Sequence, residues 1–108
     1  MPKKAYRTSD GKLALLNTRT DECLWSGRWT NGRENNRFDE LYVHITKNGK
    51  RIFYVAYITY WQGESMGITV LDSETTDVQG WLLENYESLS EKEIARLSEL
   101  GVTVEEDA

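Results

Sequence analysis

Two side chains of this 108-residue sequence are of the types that do nucleophilic or acid–base chemistry, the single cysteine Cys23 and the single histidine His44. A catalytic cysteine needs a specific electropositive setting, whereas a free cysteine is most often a small buried hydrophobe. We interpret His44 as a structural residue of a strand. One cysteine and one histidine are too few for a structural zinc site, which needs four ligands.

Other motifs of enzymes are missing from the sequence. It contains no glycine-rich phosphate loop and no G-x-S-x-G element. It has 18 carboxylates, so a pair of close carboxylates is not excluded by counting, but such pairs most often form a solvated surface. We therefore expect a protein that is not an enzyme and that uses no metal and no cofactor.

The charges are divided unevenly along the chain. Residues 1–51 carry 11 basic and 6 acidic residues, whereas residues 52–108 carry 2 and 12, and the net charge is −5. Basic strand edges and acidic helices explain this division structurally. The alternative is an acidic C-terminal surface that attracts a basic partner protein.

Large aromatic residues are more numerous than one small core needs, with 4 tryptophans and 6 tyrosines. Protein interfaces are enriched in aromatic residues and arginine. The sequence therefore predicts a module that binds another protein. The predicted partner-binding residues are Trp25, Arg28, Trp29, Tyr42, Tyr57, Trp61, Glu84, Glu87 and Glu91.

A second hypothesis is a module that binds single-stranded nucleic acid. Bases would stack on aromatic side chains of a sheet, and basic residues at its rim would follow the phosphates. That rim would use Arg33, Arg37, Lys47, Lys50 and Arg51, with Arg28 beside them. The isoelectric point of 4.9 weighs against this alternative.

The first half of the chain shows the pattern of strands. Short strands are predicted on either side of the turn at residues 9–11, and a further strand over residues 22–29. In that strand Trp25 and Trp29 would lie on one face. Residues 30–37 are predicted to form a polar loop.

The strongest hairpin signal is Asn48-Gly49, between an alternating strand at residues 41–46 and an aromatic strand at residues 51–61. A two-residue loop would pair Ile45 with Ile52 and Val43 with Tyr54. A longer loop would shift this register.

The second of these strands is apolar or aromatic on both faces, which is typical of a central strand covered on both sides. Only the helix predicted over residues 73–87 has an apolar face wide enough to cover the sheet. The face with Tyr42, Phe53, Val55 and Tyr57 is left without a cover. The sheet would then curl into a partial barrel, form a homodimer through this face, or bind a partner there.

The C-terminal part reads as two helices. Ser73 and Thr75 are candidate N-caps of the first, which carries Val78, Trp81 and Leu82. Ser90 and Glu93 form a capping box for the second, and Gly101 ends it. The expected fold is an α+β domain over residues 1–108, with a four- or five-stranded antiparallel β-meander followed by two helices. Its core would span about residues 5–101, and residues 102–108 would be frayed.

Several short motifs resemble a loose group of uncharacterised proteins from plasmids, phages and other mobile elements. They are Asn17-Thr18-Arg19-Thr20, Glu40-Leu41-Tyr42, Lys47-Asn48-Gly49, Trp61-Gln62-Gly63 and Trp81-Leu82-Leu83-Glu84-Asn85. The resemblance spans roughly residues 13–86, and the sequence departs from it at Thr75-Thr76, where an acidic run is usual. It implies a mobile-element accessory or anti-defence protein acting on a host nucleic-acid-processing protein, and it assigns no site residue.

The expected location is the cytoplasm. A lone cysteine needs no oxidising compartment, and the N-terminal residues lack the apolar stretch of a signal peptide. The longest apolar run, Ile52–Ile58, is too short to span a bilayer, so we expect no membrane partner.

Overall fold

The computed structural model describes residues 2–71 and 75–102, and for residues 75–77 it describes the backbone alone. The strands in these ranges are β1 (Lys3–Arg7), β2 (Leu13–Asn17), β3 (Glu22–Ser26), β4 (Trp29–Thr30), β5 (Arg33–Glu34), β6 (Arg37–Ile45), β7 (Arg51–Thr59) and β8 (Gly67–Leu71). The helices are α1 (Thr75–Asn85) and α2 (Glu91–Glu99), with a 3-10 turn at Tyr86–Ser88 between them.

The central layer is a four-stranded antiparallel sheet in the order β3-β6-β7-β8. Strands β1 and β2 form a separate antiparallel hairpin, and β4 pairs with β5 in a two-residue ribbon. The predicted α+β fold, with antiparallel strands followed by two C-terminal helices, is confirmed. The central sheet is open, so the curling predicted as one way to cover it does not close a barrel.

The β6–β7 hairpin has a three-residue loop instead of the predicted two-residue loop. Thr46 N donates to Lys50 O at 2.8 Å, and Gly49, at φ 85°, makes the left-handed turn that such loops require. Ile45 therefore pairs with Arg51, and Val43 with Phe53. The predicted pairs with Ile52 and Tyr54 were wrong by one residue, because the loop contains one residue more.

When β7 shifts by one residue relative to β6, each β6 side chain shares its face of the sheet with the other set of alternating β7 side chains. On one face, buried Leu41, Val43 and Phe53 pack with the helices. On the other face lie buried Tyr42, Ile52, Tyr54, Ala56 and Ile58. The four residues predicted to share an uncovered face are thus divided between the two sides of the sheet.

The second face has a cover that the sequence did not indicate. Ala14 and Leu16 of β2 are buried against Tyr42 and Tyr54, so the N-terminal hairpin covers this side. The molecule consequently has three layers, with the hairpin, the central sheet and the helices in that order. The prediction that this face is uncovered and available for dimerisation was wrong. Self-association itself stays a prediction.

The predicted strand over residues 22–29 is broken after Ser26. A bulge between Cys23 and Trp25 turns both Leu24 and Trp25 toward the helices. Gly27 follows, and a Cβ there would lie 3.0 Å from the Trp25 ring. Trp29 begins β4 and pairs with Glu34, so the prediction that Trp25 and Trp29 share one strand face was wrong.

The predicted polar loop at residues 30–37 contains a turn of the β-hairpin type. Asn31 and Gly32 both have positive φ, 51° and 80°, as a two-residue type I′ turn requires. The Asn-Gly pair at these positions was a usable signal in the sequence. The ribbon that it closes, β4–β5, projects Trp29 at one end of the central sheet.

Both ends of α2 match the sequence prediction. Ser90 Oγ accepts from Glu93 N at 3.2 Å, and Ser90 N donates to Glu93 Oε1 at 2.7 Å, which completes the capping box. At the other end Gly101 has φ 91°, and Val102 N donates to Leu97 O at 2.9 Å in a Schellman arrangement.

Two boundary predictions remain. Val102 is buried in the helix-side core, one residue beyond the predicted core boundary at residue 101. The cap at Ser73, the side chain of Thr75 and the end at residues 103–108 lie outside what the structure describes. No helix within the described ranges has the length and apolar character to cross a membrane.

Candidate functional site

The aromatic cleft is a groove of about 500 Å³ where the β3–β4 connection meets the end of α1. Its lining joins the sheet, the β4–β5 ribbon and the helices. The lining residues are Trp25, Ser26, Gly27, Trp29, Thr30, Asn31, Arg37, Phe38, Asp39, Asn85 and Ser88. This volume is in the range of sites that hold a small ligand or a few side chains of a partner.

Trp25 forms the inner wall of the cleft and is held rigidly. Its ring meets Trp81 of α1 edge to face, with centroids 5.3 Å apart. Its Nε1 donates to Ser88 O at 3.2 Å. Trp25 was predicted as a contact residue, and the structure shows that half-burial against α1 also gives it a packing role.

Trp29 stands at the outer edge of the cleft and is 61% exposed. The guanidinium of Arg28 lies 5.9 Å from the centre of its ring. Arg28 Nε donates to Glu34 Oε2 at 2.5 Å, across the ribbon. The hydrogen bond from Arg28 to Glu34 raises the pKa of the guanidinium, so Arg28 is charged throughout the working pH range.

A second tryptophan–arginine pair lies beyond the cleft at the same end of the sheet. Arg37, a lining residue, places its guanidinium 4.7 Å from the centre of the Trp61 ring, and Trp61 is 53% exposed. Arg37 also donates to Glu64 through Nε at 3.0 Å. Thr59 Oγ1 donates to the same carboxylate at 2.5 Å. These hydrogen bonds lower the pKa of Glu64, with Thr59 the larger cause.

Tyr60 extends this surface, although the sequence did not single it out. It is exposed, and its ring meets Phe38 of the cleft edge to face at 5.8 Å. Tyr60 N donates to Asn36 O at 2.9 Å, which holds the chain here after β7 has ended. An exposed aromatic at a strand end is a weak signal by itself, because such residues are common at the rim of a core.

Asp39 is the carboxylate of the cleft. Partial burial raises the pKa of its carboxyl group. Among the ion pairs of the described residues, none involves Asp39. A cation brought by a partner would offset this unfavourable desolvation.

The three predicted acidic residues are exposed on the helical layer. Glu84 belongs to α1, Glu87 to the 3-10 turn and Glu91 to the first turn of α2. Asn85 and Ser88, their chain neighbours, line the cleft. Glu84 and Glu87 themselves are not among the lining residues.

Two other predicted contact residues lie outside the cleft. Tyr42 is buried under the N-terminal hairpin, stacked on Tyr54 with ring centres 5.4 Å apart. Its place on an exposed surface was wrong, because the register turns it toward the hairpin. Tyr57 is 36% exposed and pairs with Asp39 across β6 and β7.

The basic residues of the nucleic-acid hypothesis do not form one rim. Arg33 and Arg37 lie at one end of β6, and Lys47 and Lys50 lie past its other end. Nine residues of extended strand separate these ends by roughly 27 Å. Arg51 is exposed, and its Nη1 donates to Leu100 O at 3.3 Å, at the C-terminus of α2.

The environment of the single cysteine, Cys23, makes its thiol a weak nucleophile. Cys23 Sγ donates to Trp25 O at 3.4 Å. The residue as a whole is exposed, but desolvation of the sulfur by its neighbours, with a smaller effect from Glu40, raises the pKa of this thiol to about 11. The thiol is therefore protonated at neutral pH, and a protonated thiol is a poor nucleophile.

The single histidine belongs to a buried polar chain that the sequence did not suggest. His44 Nδ1 lies 2.8 Å from Asp21 Oδ1, and Tyr54 donates to Asp21 Oδ2 at 2.7 Å. Asn17 N donates to the same oxygen at 3.0 Å. A carboxylate only accepts, so Nδ1 carries the hydrogen. The arrangement fixes the tautomer and the orientation of the imidazole.

Within the described residues, the His44 side chain makes one hydrogen bond, to Asp21. The same part of the chain contains no cluster of three potential metal ligands.

Comparison of the chain with protein-family models, curated proteins and solved structures finds no match in any of the three.

Proposed function

We propose that the protein is a small non-enzymatic module that binds a segment of another protein in the aromatic cleft. One observation carries the proposal: Trp29 and Trp61 are both exposed, and each lies beneath an arginine at the same end of the sheet. Tryptophan and arginine are the residues most enriched at binding hot spots. Each arginine is also held by a carboxylate, which limits the entropy that its side chain loses on binding.

The charges around the cleft favour a partner segment that carries a lysine or arginine. Asp39 lies in the cleft without an ion pair in the described residues. Glu84 and Glu87 are exposed and are chain neighbours of the lining residues Asn85 and Ser88. Glu91 adds a further acidic group at the start of α2. A basic side chain seated between Trp25 and Asp39 would gain both a cation–π contact and a charge partner.

The biological setting is proposed on the sequence alone. The resemblance to mobile-element proteins supports an accessory or anti-defence role in the cytoplasm, with a host nucleic-acid-processing protein as partner. Such proteins present basic grooves, which match the acidic C-terminal half of this chain.

Direct binding of single-stranded nucleic acid is less well supported by the described geometry. Tyr42 is buried, Arg51 is bound to a helix carbonyl, and Arg28 and Arg37 are paired with carboxylates. A groove that follows phosphates needs uncompensated positive charge.

Site-directed photocrosslinking in the native host tests the proposal. A photoreactive phenylalanine analogue is placed at Trp29, and a control version carries it at Leu15, which is equally exposed on the outer face of the N-terminal hairpin. We expect a discrete protein adduct at position 29 that disappears with Trp61→Ala or with Asp39→Asn, and none at position 15. Nucleic-acid adducts at position 29, or identical protein adducts at both positions, would overturn the proposal.

Purified components make the second test. The crosslinked partner is expressed, and its affinity for the wild-type chain is compared with that of Trp29→Ala and Trp61→Ala. Truncating a hot-spot tryptophan is expected to weaken binding by roughly 30-fold or more. Leu15→Ala should leave the affinity unchanged, and a tryptophan variant with wild-type affinity contradicts the assignment of the cleft.

A further inference from the structure

A second groove, the basic cleft, lies on the opposite side of the central sheet from the helices. It has a volume of about 490 Å³ and separates β2 from the β6–β7 turn. Its basic and apolar lining residues are Lys12, Leu13, Ala14, Leu15, His44, Ile45, Lys47 and Lys50. Neither hypothesis about protein or nucleic-acid binding uses this groove as a unit.

The positive charges of this cleft are only partly compensated. Within the described residues, Lys12, Lys47 and Lys50 form no ion pair, and Lys50 Nζ makes only a 3.3 Å hydrogen bond to Ser9 Oγ. Asp10 is the one carboxylate in the lining, and it accepts a hydrogen bond from Thr8 Oγ1. Three lysines and one aspartate leave an excess of two positive charges in a chain whose net charge is negative.

His44 adds a rigid polar group to the same wall. Its Nδ1 is held by Asp21, whose side chain is only 8% exposed and is itself held by Tyr54. The ring lines the cleft, and its Nε2 has no hydrogen-bond partner in the described part of the chain. A buried carboxylate that orients an imidazole is a common way to fix a histidine for contact with a ligand.

Exposed aliphatic side chains lie beside these charges. Leu13 is 64% exposed and Ile45 is 50% exposed, and both line the cleft. Leu15 continues the apolar strip along β2. The cleft therefore combines a cationic part with an apolar part, which matches an amphiphilic anion.

We propose that the basic cleft binds an organic phosphate monoester, with its phosphate on Lys12 and Lys50 beside the His44 ring and its apolar part against Leu13 and Ile45. A phosphate monoester carries about −1.5 to −2 charges near neutral pH, which matches the excess positive charge. Its oxygens accept hydrogen bonds from several donors at once, and the ammonium groups of Lys12 and Lys50 supply such donors. The phosphate belongs either to a small soluble molecule or to the headgroup of a lipid.

Because His44 is the only histidine, its imidazole gives one unambiguous reporter signal in a ¹H–¹³C NMR spectrum. Phenyl phosphate is the probe, and inorganic phosphate and phenol are compared with it. We expect a saturable shift of the His44 signal with phenyl phosphate, a weaker response to inorganic phosphate, and no saturation with phenol. The absence of a saturable shift up to about 10 mM phenyl phosphate would mean a dissociation constant too high for specific binding, and it would overturn the proposal.

Lysine variants locate the binding. Lys12→Ala and Lys50→Ala are each expected to weaken phenyl phosphate binding about tenfold, since each removes a charge contact worth about 1.4 kcal/mol. The matched control is Lys92→Ala, an exposed lysine on α2. Circular dichroism checks that the exposed substitutions leave the fold intact. Equal weakening in all three variants would mean unspecific attraction and would overturn the assignment.

Vesicles distinguish the two sources of the phosphate. Phosphatidylcholine vesicles with and without phosphatidic acid, which is a phosphate monoester, are sedimented with the protein. Binding that requires phosphatidic acid, is competed by phenyl phosphate and is lost in Lys12→Ala/Lys50→Ala assigns the site to a lipid headgroup. Binding of phenyl phosphate in solution without vesicle binding assigns it to a soluble molecule.

Discussion

Tyr54 donates a 2.7 Å hydrogen bond to Oδ2 of Asp21, across 33 residues of sequence. Tyr54 has no exposed surface, and it is the largest fully buried side chain in the described residues. Through Asp21 it also supports the orientation of His44. This contact ties the turn after β2 to the central strand β7, and therefore the N-terminal hairpin to the sheet.

Removing this hydroxyl should destabilise the fold. Tyr54→Phe leaves the buried Asp21 carboxylate without one of its donors, and we expect a loss of about 1–3 kcal/mol in the free energy of unfolding. Urea unfolding followed by circular dichroism measures it. Tyr60→Phe is the matched control, because Tyr60 is exposed and its loss of a hydroxyl should change little. Equal stability of the two variants would contradict the structural role of the hydrogen bond.

The buried tyrosines should make the protein sensitive to alkali. Burial is the first cause that raises the pKa of both Tyr42 and Tyr54, and hydrogen bonds to Glu40 and Asp21 are the second. A group whose pKa is higher in the folded state stabilises the fold fully below its unfolded pKa, here about 10, and loses this effect as pH rises further.

We therefore expect cooperative unfolding above about pH 10, accompanied by ionisation of both phenols. Absorbance at the phenolate band and circular dichroism should change together. Ionisation of all tyrosines while the fold is still intact would contradict the buried positions of Tyr42 and Tyr54.

The Cys23 thiol should react slowly in the folded protein. With a pKa of about 11, far less thiolate is present at pH 8 than for an ordinary thiol, and we expect alkylation by iodoacetamide to be about 100-fold slower than in the unfolded chain. Mass spectrometry of timed samples measures the rate, with the chain in urea as the control. A native rate within tenfold of the unfolded rate would show that the thiol is activated.

The contact between α2 and the edge of the sheet should weaken at acidic pH. Arg96 donates to both carboxylate oxygens of Glu22, each at 2.7 Å, and this hydrogen bonding lowers the pKa of Glu22. A lowered pKa means that the stabilisation is present above the unfolded pKa of about 4.3 and is lost as pH falls through the folded value.

A double-mutant cycle with Arg96→Ala and Glu22→Gln measures this coupling. The pair is exposed, so we expect a coupling energy smaller than the loss in Tyr54→Phe. It should be measurable at pH 7 and should decrease as the pH falls below the unfolded pKa of Glu22. Arg96→Lys keeps the charge and should recover only part of it, because lysine cannot make the two parallel hydrogen bonds. A coupling that does not change with pH would contradict an ionic contact.

Signals that act over a few residues were readable in the sequence. The Ser90–Glu93 capping box and the stop at Gly101 were predicted and are present. The order of strands followed by two helices was also predicted. Asn31-Gly32 was an equally local signal of a turn, but these residues were assigned to a polar loop instead of a hairpin. Each of these features depends on the backbone preferences and hydrogen bonds of neighbouring residues.

The candidate sites were predicted only in part. The sequence singled out Trp25, Trp29, Arg37 and Trp61, and the structure brings them to one end of the sheet. No pattern in the sequence indicated that Asp39 is the carboxylate of that cleft. The contact between Asp21 and His44 joins residues 23 positions apart in different elements, and composition or spacing does not reveal such a pairing.

By itself, the sequence determined the α+β class, the capped end of α2 and the need to cover both faces of β7. Only the tertiary structure decided which face each side chain takes and what covers it. The three-residue loop at Lys47–Gly49 sets the register that turns Tyr42 and Tyr54 toward the N-terminal hairpin. The physical reason is that a one-residue slip costs little in the loop but exchanges the two faces along the whole strand. The register is therefore selected by the sum of distant contacts, which no short segment of sequence contains.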